Sequence, residues 1–193
     1  MKYLVIYAHP NPQSFNSAIR DVVVNELKVA GKDFILRDLY DINFNPVLSC
    51  DDFMKIQQCL AAPDVGKEQE FVKEAGTLIF IYPLWWSGMP AMLKGWIDRV
   101  FSYGFAYEIK ETGAVGLFPG KKAFLITTTG ATEEMNKASG IYDAMSRTID
   151  GALAFTGLEI VGHKYLPGVP YLTDEVRKGM LEEVRAAVRE KLL

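Results

Sequence analysis

Tyr3-Leu4-Val5-Ile6-Tyr7-Ala8, an unbroken apolar run closed by His9-Pro10-Asn11-Pro12, is the stretch whose reading decides the fold. A strand with one wet face alternates apolar and polar side chains, whereas a run apolar on both faces belongs to a strand covered on both sides. Thr77–Tyr82, Lys122–Thr127 and Glu159–Leu166 repeat that character, and Lys32–Leu39 reads as a fifth, more mixed strand. Between them the period becomes helical. Ile19, Val22, Val23, Leu27 and Ala30 form one stripe, with Gly31 as its stop. Met89, Leu93, Trp96, Ile97, Val100 and Phe101 form a second, and Ile141, Met145, Ile149, Leu153 and Phe155 a third that ends before Gly157. Thr173 caps a last helix with Asp174-Glu175 in its first turn and Val176, Met180, Val184, Ala187 and Val188 facing the core. Asp51–Ala75 reads as two helical pieces broken near Pro63.

Five alternations of strand and helix with short connections predict an α/β architecture: a flavodoxin-like, doubly wound, five-stranded parallel sheet of order 2-1-3-4-5 with helices on both faces. A chain of 193 residues, 49% hydrophobic, suits one core, so residues 1–193 are expected to form a single domain. Ligands of such sheets bind outside the carboxyl ends of the strands. The loops after strands one, three and four, His9–Asn16, Pro83–Gly88 and Thr128–Asn136, are therefore the candidate site.

The net charge of −3 and the absence of a Lys/Arg tract supply no surface for a phosphate backbone, so nucleic acid is not expected as a partner. No stretch approaches the roughly 18 apolar residues of a membrane span. The amino-terminal run is too short for a secretory signal, and a cytoplasmic protein without membrane insertion is expected. Cys50 and Cys59 lack CxxC spacing and nearby histidines and read as free thiols, while His9 and His163 stand far apart in sequence, so no metal site is expected.

In the first loop, Ser14, Asn16 and Ser17 stand where a helix amino end presents unpaired N–H groups, which suits a phosphate; helix capping alone is the other reading. The loop has neither GxGxxG nor GxxxxGK[ST], which argues against a Rossmann turn and a P-loop. In the second loop, adjacent side chains of an extended chain point to opposite sides, so Trp85 and Trp86 do not both enter one core pocket without a bend. One is expected to face a ligand or a partner subunit, an aromatic wall for a flat heteroaromatic ring; the other reading has both covering hydrophobic surface. In the third, Gly130 allows close backbone approach, and the N–H groups of Thr129–Ala131 are placed for negative charge on a bound ring, against the plain alternative of a polar strand exit.

These loops sit within a longer pattern: His9…Ser14-Phe15-Asn16, Leu39-Tyr40…Asn43-Phe44-Asn45-Pro46, Pro83-Leu84…Trp86…Gly88…Pro90-Ala91…Leu93-Lys94-Gly95-Trp96…Arg99-Val100-Phe101, Phe105-Ala106-Tyr107 and Thr128-Thr129-Gly130. The pattern resembles the NAD(P)H:quinone oxidoreductase family, in order from the first strand to about Asp143. The resemblance implies a cytosolic, homodimeric flavoenzyme that passes two electrons by ping-pong hydride transfer from NAD(P)H, through FAD, to a quinone or related acceptor. It assigns His9, Ser14, Phe15 and Asn16 to the flavin pyrophosphate and ribityl region, and Pro83, Leu84 and Trp86, with Trp85 beside them, to the ring wall. Thr128, Thr129 and Gly130 fall at the pyrimidine edge, and Tyr107 becomes a wall of the substrate pocket offered across the dimer.

The family's tyrosine and histidine beyond the Thr-Thr-Gly turn are replaced here by Asn136 and Tyr142, whose amide and hydroxyl are candidate hydrogen-bond donors to the ring. The sequence ends at Leu193, short of the extension of longer members, so FMN stands as the alternative to FAD. Two other functions remain open: a flavodoxin-type electron carrier, and a flavoprotein regulatory subunit of a potassium efflux transporter. Trp96, Val100, Phe101 and Phe105 offer apolar surface for dimerisation, or else are ordinary sheet-facing core.

Overall fold

The computed structural model describes residues 2–58 and 60–193. Five parallel strands form the central sheet: β1 (Lys2–Tyr7), β2 (Phe34–Asp38), β3 (Ala75–Pro83), β6 (Lys122–Thr128) and β7 (Glu159–Leu166), in spatial order β2-β1-β3-β6-β7. This is the expected order, with strand ends shifted by two residues or fewer. An antiparallel hairpin, β4 (Tyr107–Lys110) and β5 (Gly113–Gly116), stands apart from the sheet and was not anticipated. Its strands are four residues each, below the length at which period-two patterning is visible.

Alternation along the strands builds two cores. Leu4, Ile6, Leu78, Phe80, Ala123 and Leu125 point to the face covered by α3 (Pro63–Glu74), α4 (Ala91–Val100) and the Ile141–Phe155 segment. Val5, Tyr7, Ile79, Ile81, Phe124 and Ile126 point to the face covered by α1 (Phe15–Val29) and the carboxy-terminal helix, Asp174–Leu192. Glu26 of α1 is buried yet accepts hydrogen bonds at 2.6 Å from both Arg185 and Arg189, which ties these two helices together. The Asp51–Ala75 segment divides as expected into α2 (Cys50–Gln57) and α3, with Pro63 at the start of α3; Cys50 is an exposed free thiol, and Cys59 lies outside the described residues. Arg99 of α4 holds Asp52 of α2 at 2.9 Å and also reaches Asp64 and the Asn45 carbonyl, 2.8 Å away.

Three details of the expected packing change. Trp96 is fully buried, its Nε1 donates to Glu68 at 3.1 Å, and its ring meets Phe101 at 5.6 Å. Val100 and Phe101 are buried with it and Phe105 packs on Phe118, so this stripe is core and not dimer surface. Val176 and Phe155 are exposed, the first near the end of its helix and the second beyond the turn of the stripe that enters the core. The Ile141–Phe155 stripe is not one helix: α5 (Glu133–Ala138) and α6 (Ile141–Met145) lead into a π-helical turn, Ser146–Asp150, before α7 (Gly151–Phe155). Met145, Ile149 and Leu153 remain buried through it. The helix Asp174–Leu192 is α8; Thr173 caps it as expected, accepting from Val176 N.

Candidate functional site

The first loop is folded by its own short side chains. Asn11 N donates to His9 Nδ1 at 3.0 Å, Gln13 N donates to Asn11 Oδ1 at 2.9 Å, and Ser14 Oγ accepts from Ser17 N at 3.2 Å as the cap of α1. Burial pushes the His9 imidazole below its usual pKa, so the ring is neutral near pH 7. With Nδ1 acting as acceptor, the proton of the neutral ring resides on Nε2, which leaves an N–H donor. Asn16, almost fully buried, donates from Nδ2 to Thr128 Oγ1 at 2.9 Å and so bonds the first loop to the third. Its Oδ1 is buried with no hydrogen-bond partner among the described residues.

The second loop leaves β3 with Leu84 N bonded to Thr128 O at 2.8 Å, then closes a tight turn in which Trp85 and Gly88 exchange both backbone hydrogen bonds at 3.0 Å. The two residues at its tip, Trp86 (φ 50°) and Ser87 (φ 59°), are both in the left-handed region. This is the hairpin geometry in which glycine and asparagine are usual. The turn resolves the question of the paired tryptophans: Trp85 lies along the cleft with its ring 5.6 Å from that of His9, and Trp86 is thrown fully into solvent.

The third loop is closed internally. Asn136 Nδ2 lies 2.8 Å from Thr129 Oγ1, 3.2 Å from Ala131 O and 3.2 Å from the Tyr142 hydroxyl, so its two hydrogens are already shared among three acceptors. Tyr142 donates its hydroxyl proton to Glu133 Oε2 at 2.6 Å. Burial and then that carboxylate push the Tyr142 phenol up to about 12. The donors expected from Asn136 and Tyr142 are thus spent within the loop, where they hold Thr129 and Ala131 in place.

His9, Ser14, Phe15, Asn16, Pro83, Leu84, Trp85, Thr128, Thr129 and Gly130 line one cleft of about 260 Å³. Through Leu84, Thr129 and Gly130 it adjoins a second hollow of about 330 Å³ bordered by Ser87, Asn136, Ser139 and Ile141. Tyr142 borders a smaller recess beyond Asn136. Trp86 and Tyr107 do not line the cleft; Tyr107 stands in the β4–β5 hairpin, its ring 5.4 Å from Phe155. Sequence reasoning missed Val169 and Pro170, which close the cleft from the segment after β7. The Pro167-Gly168-Val169-Pro170 run at the carboxyl end of the last strand was the available signal, by the same sheet rule that selected the other loops. The cleft presents donors at a helix amino end and an imidazole N–H, an acceptor in the unused amide oxygen, and an aromatic wall, a combination that suits a flat, phosphorylated ligand.

The profile of a family described by its flavodoxin-like fold matches residues 1–192. An uncharacterized NAD(P)H oxidoreductase of Haemophilus influenzae is 34% identical over 100% of this chain and 96% of its own length. Human ribosyldihydronicotinamide dehydrogenase [quinone] is 35% identical over 93% of this chain and 87% of its own. Among solved structures, the NAD(P)H:quinone oxidoreductase of Methanothermobacter marburgensis superposes with a TM-score of 0.90 at 34% identity, covering 98% of both chains. The cleft at the carboxyl edge of the sheet and these full-length similarities agree, and the chain belongs to the flavodoxin-like NAD(P)H:quinone oxidoreductase family.

Proposed function

We propose that the chain is a single-domain, flavin-dependent NAD(P)H oxidoreductase that reduces a quinone or related acceptor, with FAD as its cofactor and FMN as the alternative. The observation that carries this reading is the unpartnered, buried Oδ1 of Asn16, a residue that lines the cleft beside the His9 imidazole and the Trp85 ring. An oxygen withheld from water and left without a donor fits a ligand hydroxyl or ring N–H. The amino end of α1 and the His9 Nε2–H suit the phosphate, and Trp85, Pro83 and Leu84 suit the flat ring. A bound flavin supplies the two-electron chemistry, accepting a hydride from NAD(P)H and passing two electrons to the acceptor in alternating turns. The chain itself binds and orients: the Thr129 N–H is taken by the Leu166 carbonyl at 3.0 Å, so the backbone N–H groups of Gly130 and Ala131, in the loop held by Asn136, would be the donors to the ring's electron-rich edge, and the apolar walls would exclude water. Asn136 and Tyr142 act here by fixing that loop.

The homodimer belongs to the same reading. A separate apolar groove of about 370 Å³ runs between α4 and α7, lined by Met89, Ile97, Ile149 and Leu153, and Ser87 and Gly88 of the Trp86 turn form its rim. Trp86, Phe155 and Ile109 are exposed apolar side chains available to the same contact. A two-fold contact over this face would bring Tyr107 toward the partner's cleft. Among the described residues no helix is long and apolar enough to cross a membrane, and the exposed Cys50 thiol suits a reducing cytoplasm.

Three measurements test the proposal. Cofactor released from purified protein is expected to be FAD, with FMN the other flavin outcome. Stopped-flow mixing of flavin-loaded protein with NADH and with NADPH should bleach the flavin; a flavin that stays oxidised with both overturns the enzyme reading. Sedimentation should give twice the chain mass, and Trp86→Asp should shift it toward the monomer.

A further inference from the structure

The apolar groove between α4 and α7 and the hollow beside the cleft meet at Ser87, the one residue that borders both. That hollow, about 330 Å³, is joined in turn to the cleft through Leu84, Thr129 and Gly130. Three depressions therefore lie in series: cleft, hollow and groove. The residue at the second junction is small, and its left-handed backbone (φ 59°) holds it at the tip of the Trp86 turn. A serine there leaves a low sill between hollow and groove.

The chemistry changes along the series. The hollow mixes Thr129, Asn136 and Ser139 with Leu84 and Ile141. The groove beyond Ser87 is walled by Met89, Ile97, Ile149, Ala152 and Leu153. Two longer polar side chains also border it, and both are engaged elsewhere. Lys94 Nζ donates to the two Asp98 carboxylate oxygens at 2.6 and 2.8 Å, and Thr148 Oγ1 donates to the Ala144 carbonyl at 2.8 Å. A groove whose polar side chains are spent in this way offers a ligand mainly the burial of hydrocarbon. A polar head toward the cleft and a hydrocarbon chain beyond Ser87 describe one amphiphilic molecule.

We infer that the electron acceptor is a quinone bearing a hydrocarbon tail, its ring in the hollow bordered by Thr129 and Asn136 and its tail laid over Ser87 into the groove between α4 and α7. The inference rests on the flavin reading of the cleft and narrows its acceptor. In the net reaction NAD(P)H gives up two electrons and one proton, a second proton comes from solvent, and the quinone leaves as the hydroquinone with its tail unchanged. The tail supplies affinity and orients the ring without entering the chemistry. The two-fold contact proposed above lies over this same groove. On the present inference the partner subunit roofs the groove and leaves it open beneath; a partner whose side chains filled it would exclude the tail.

Benzoquinones carrying a methyl or a decyl substituent, whose rings are electronically alike, test the inference. Each buried methylene is worth about four-fold in affinity, so the decyl compound should reoxidise reduced, flavin-loaded protein with a second-order rate constant at least about ten-fold above that of the methyl compound. Ala152 is exposed on α7 and borders the groove. Ala152→Phe, which fills the groove, and Ala152→Asp, which sets a carboxylate in it, should each bring that ratio down toward one. Because the ratio is taken within each protein, it is insensitive to a general loss of folded or dimeric enzyme. In cofactor-free protein, carbon-13 methyl spectra should show Met89, Ile97 and Leu153 shifting with the decyl compound and not with the methyl compound. A wild-type ratio near one, a ratio that survives both substitutions, or methyl signals indifferent to the tail overturns this inference and leaves the flavin reading standing. Failure of wild-type protein to take up flavin overturns both.

Discussion

Asn16 Nδ2 donates to Thr128 Oγ1 across 2.9 Å, so the first turn of α1 and the end of β6 are bonded by two side chains 112 positions apart. This bond closes the floor of the cleft and leaves Asn16 Oδ1 as the free acceptor. Replacing Asn16 with Ala strands the Thr128 hydroxyl and removes that acceptor. Urea denaturation should show a loss of about 1–2 kcal/mol, the cost of an unmade buried hydrogen bond. Equilibrium dialysis should show flavin affinity weakened by about ten-fold, equivalent to roughly 1.4 kcal/mol.

Gly130 offers a cleaner separation of binding from folding. Its φ is not positive, and a Cβ there would have Pro170 Cγ as its nearest neighbour at 4.0 Å, across the cleft. Gly130→Ala should therefore leave the thermal midpoint close to wild type, within about 0.5 kcal/mol of stability, while the added methyl narrows the space for a planar ligand. Retained stability with unchanged flavin affinity would remove Gly130 from the ring site.

The turn at Trp86-Ser87 holds two non-glycine residues in the left-handed region. Each such residue costs on the order of 1 kcal/mol. Ser87→Gly should raise stability by about 1 kcal/mol in urea titrations. The strained tip presents Trp86 to solvent, and on the proposed homodimer the same variant, with a looser tip, is expected to dimerise more weakly by sedimentation.

Asp52 links the fold to pH. The Arg99 guanidinium, followed by the Ser49 backbone and hydroxyl donors, outweighs burial and holds the Asp52 carboxyl at about 2, below the ordinary 3.8. Between those values the unfolded chain binds a proton that the native chain does not, so the contribution is complete above pH 4 and is lost as pH falls toward 2. It amounts to about 2 kcal/mol by the usual conversion. Urea midpoints for wild type and Asp52→Asn should differ at pH 5 and converge by pH 2; a constant difference would show that the pairing is not what the pH dependence reads.

The sheet was legible because its signals are local. Runs such as Tyr3–Ala8 and Thr77–Tyr82 need only their own residues to declare that both faces are covered, and handed connections then leave few strand orders. The loops at the carboxyl edge followed from the order, and so did most of the cleft lining. Trp96 was less legible, since a helical stripe marks a buried side without saying whether sheet or partner covers it; its bond to Glu68, 28 residues away, answers that.

By itself, then, the sequence determined the five parallel strands, their order and the three loops that meet at one edge, because periodicity and turn chemistry are properties of short segments. Tertiary structure alone decided which way the side chains in those loops face. The left-handed pair at Trp86 and Ser87 sends one tryptophan to the cleft and the other to solvent. Asn136 and Tyr142 bond within their loop instead of facing the cleft, and one π-helical turn brings Asp150 to His163. Side-chain direction depends on individual backbone angles and on partners distant in sequence, and neither leaves a trace in local hydrophobic pattern.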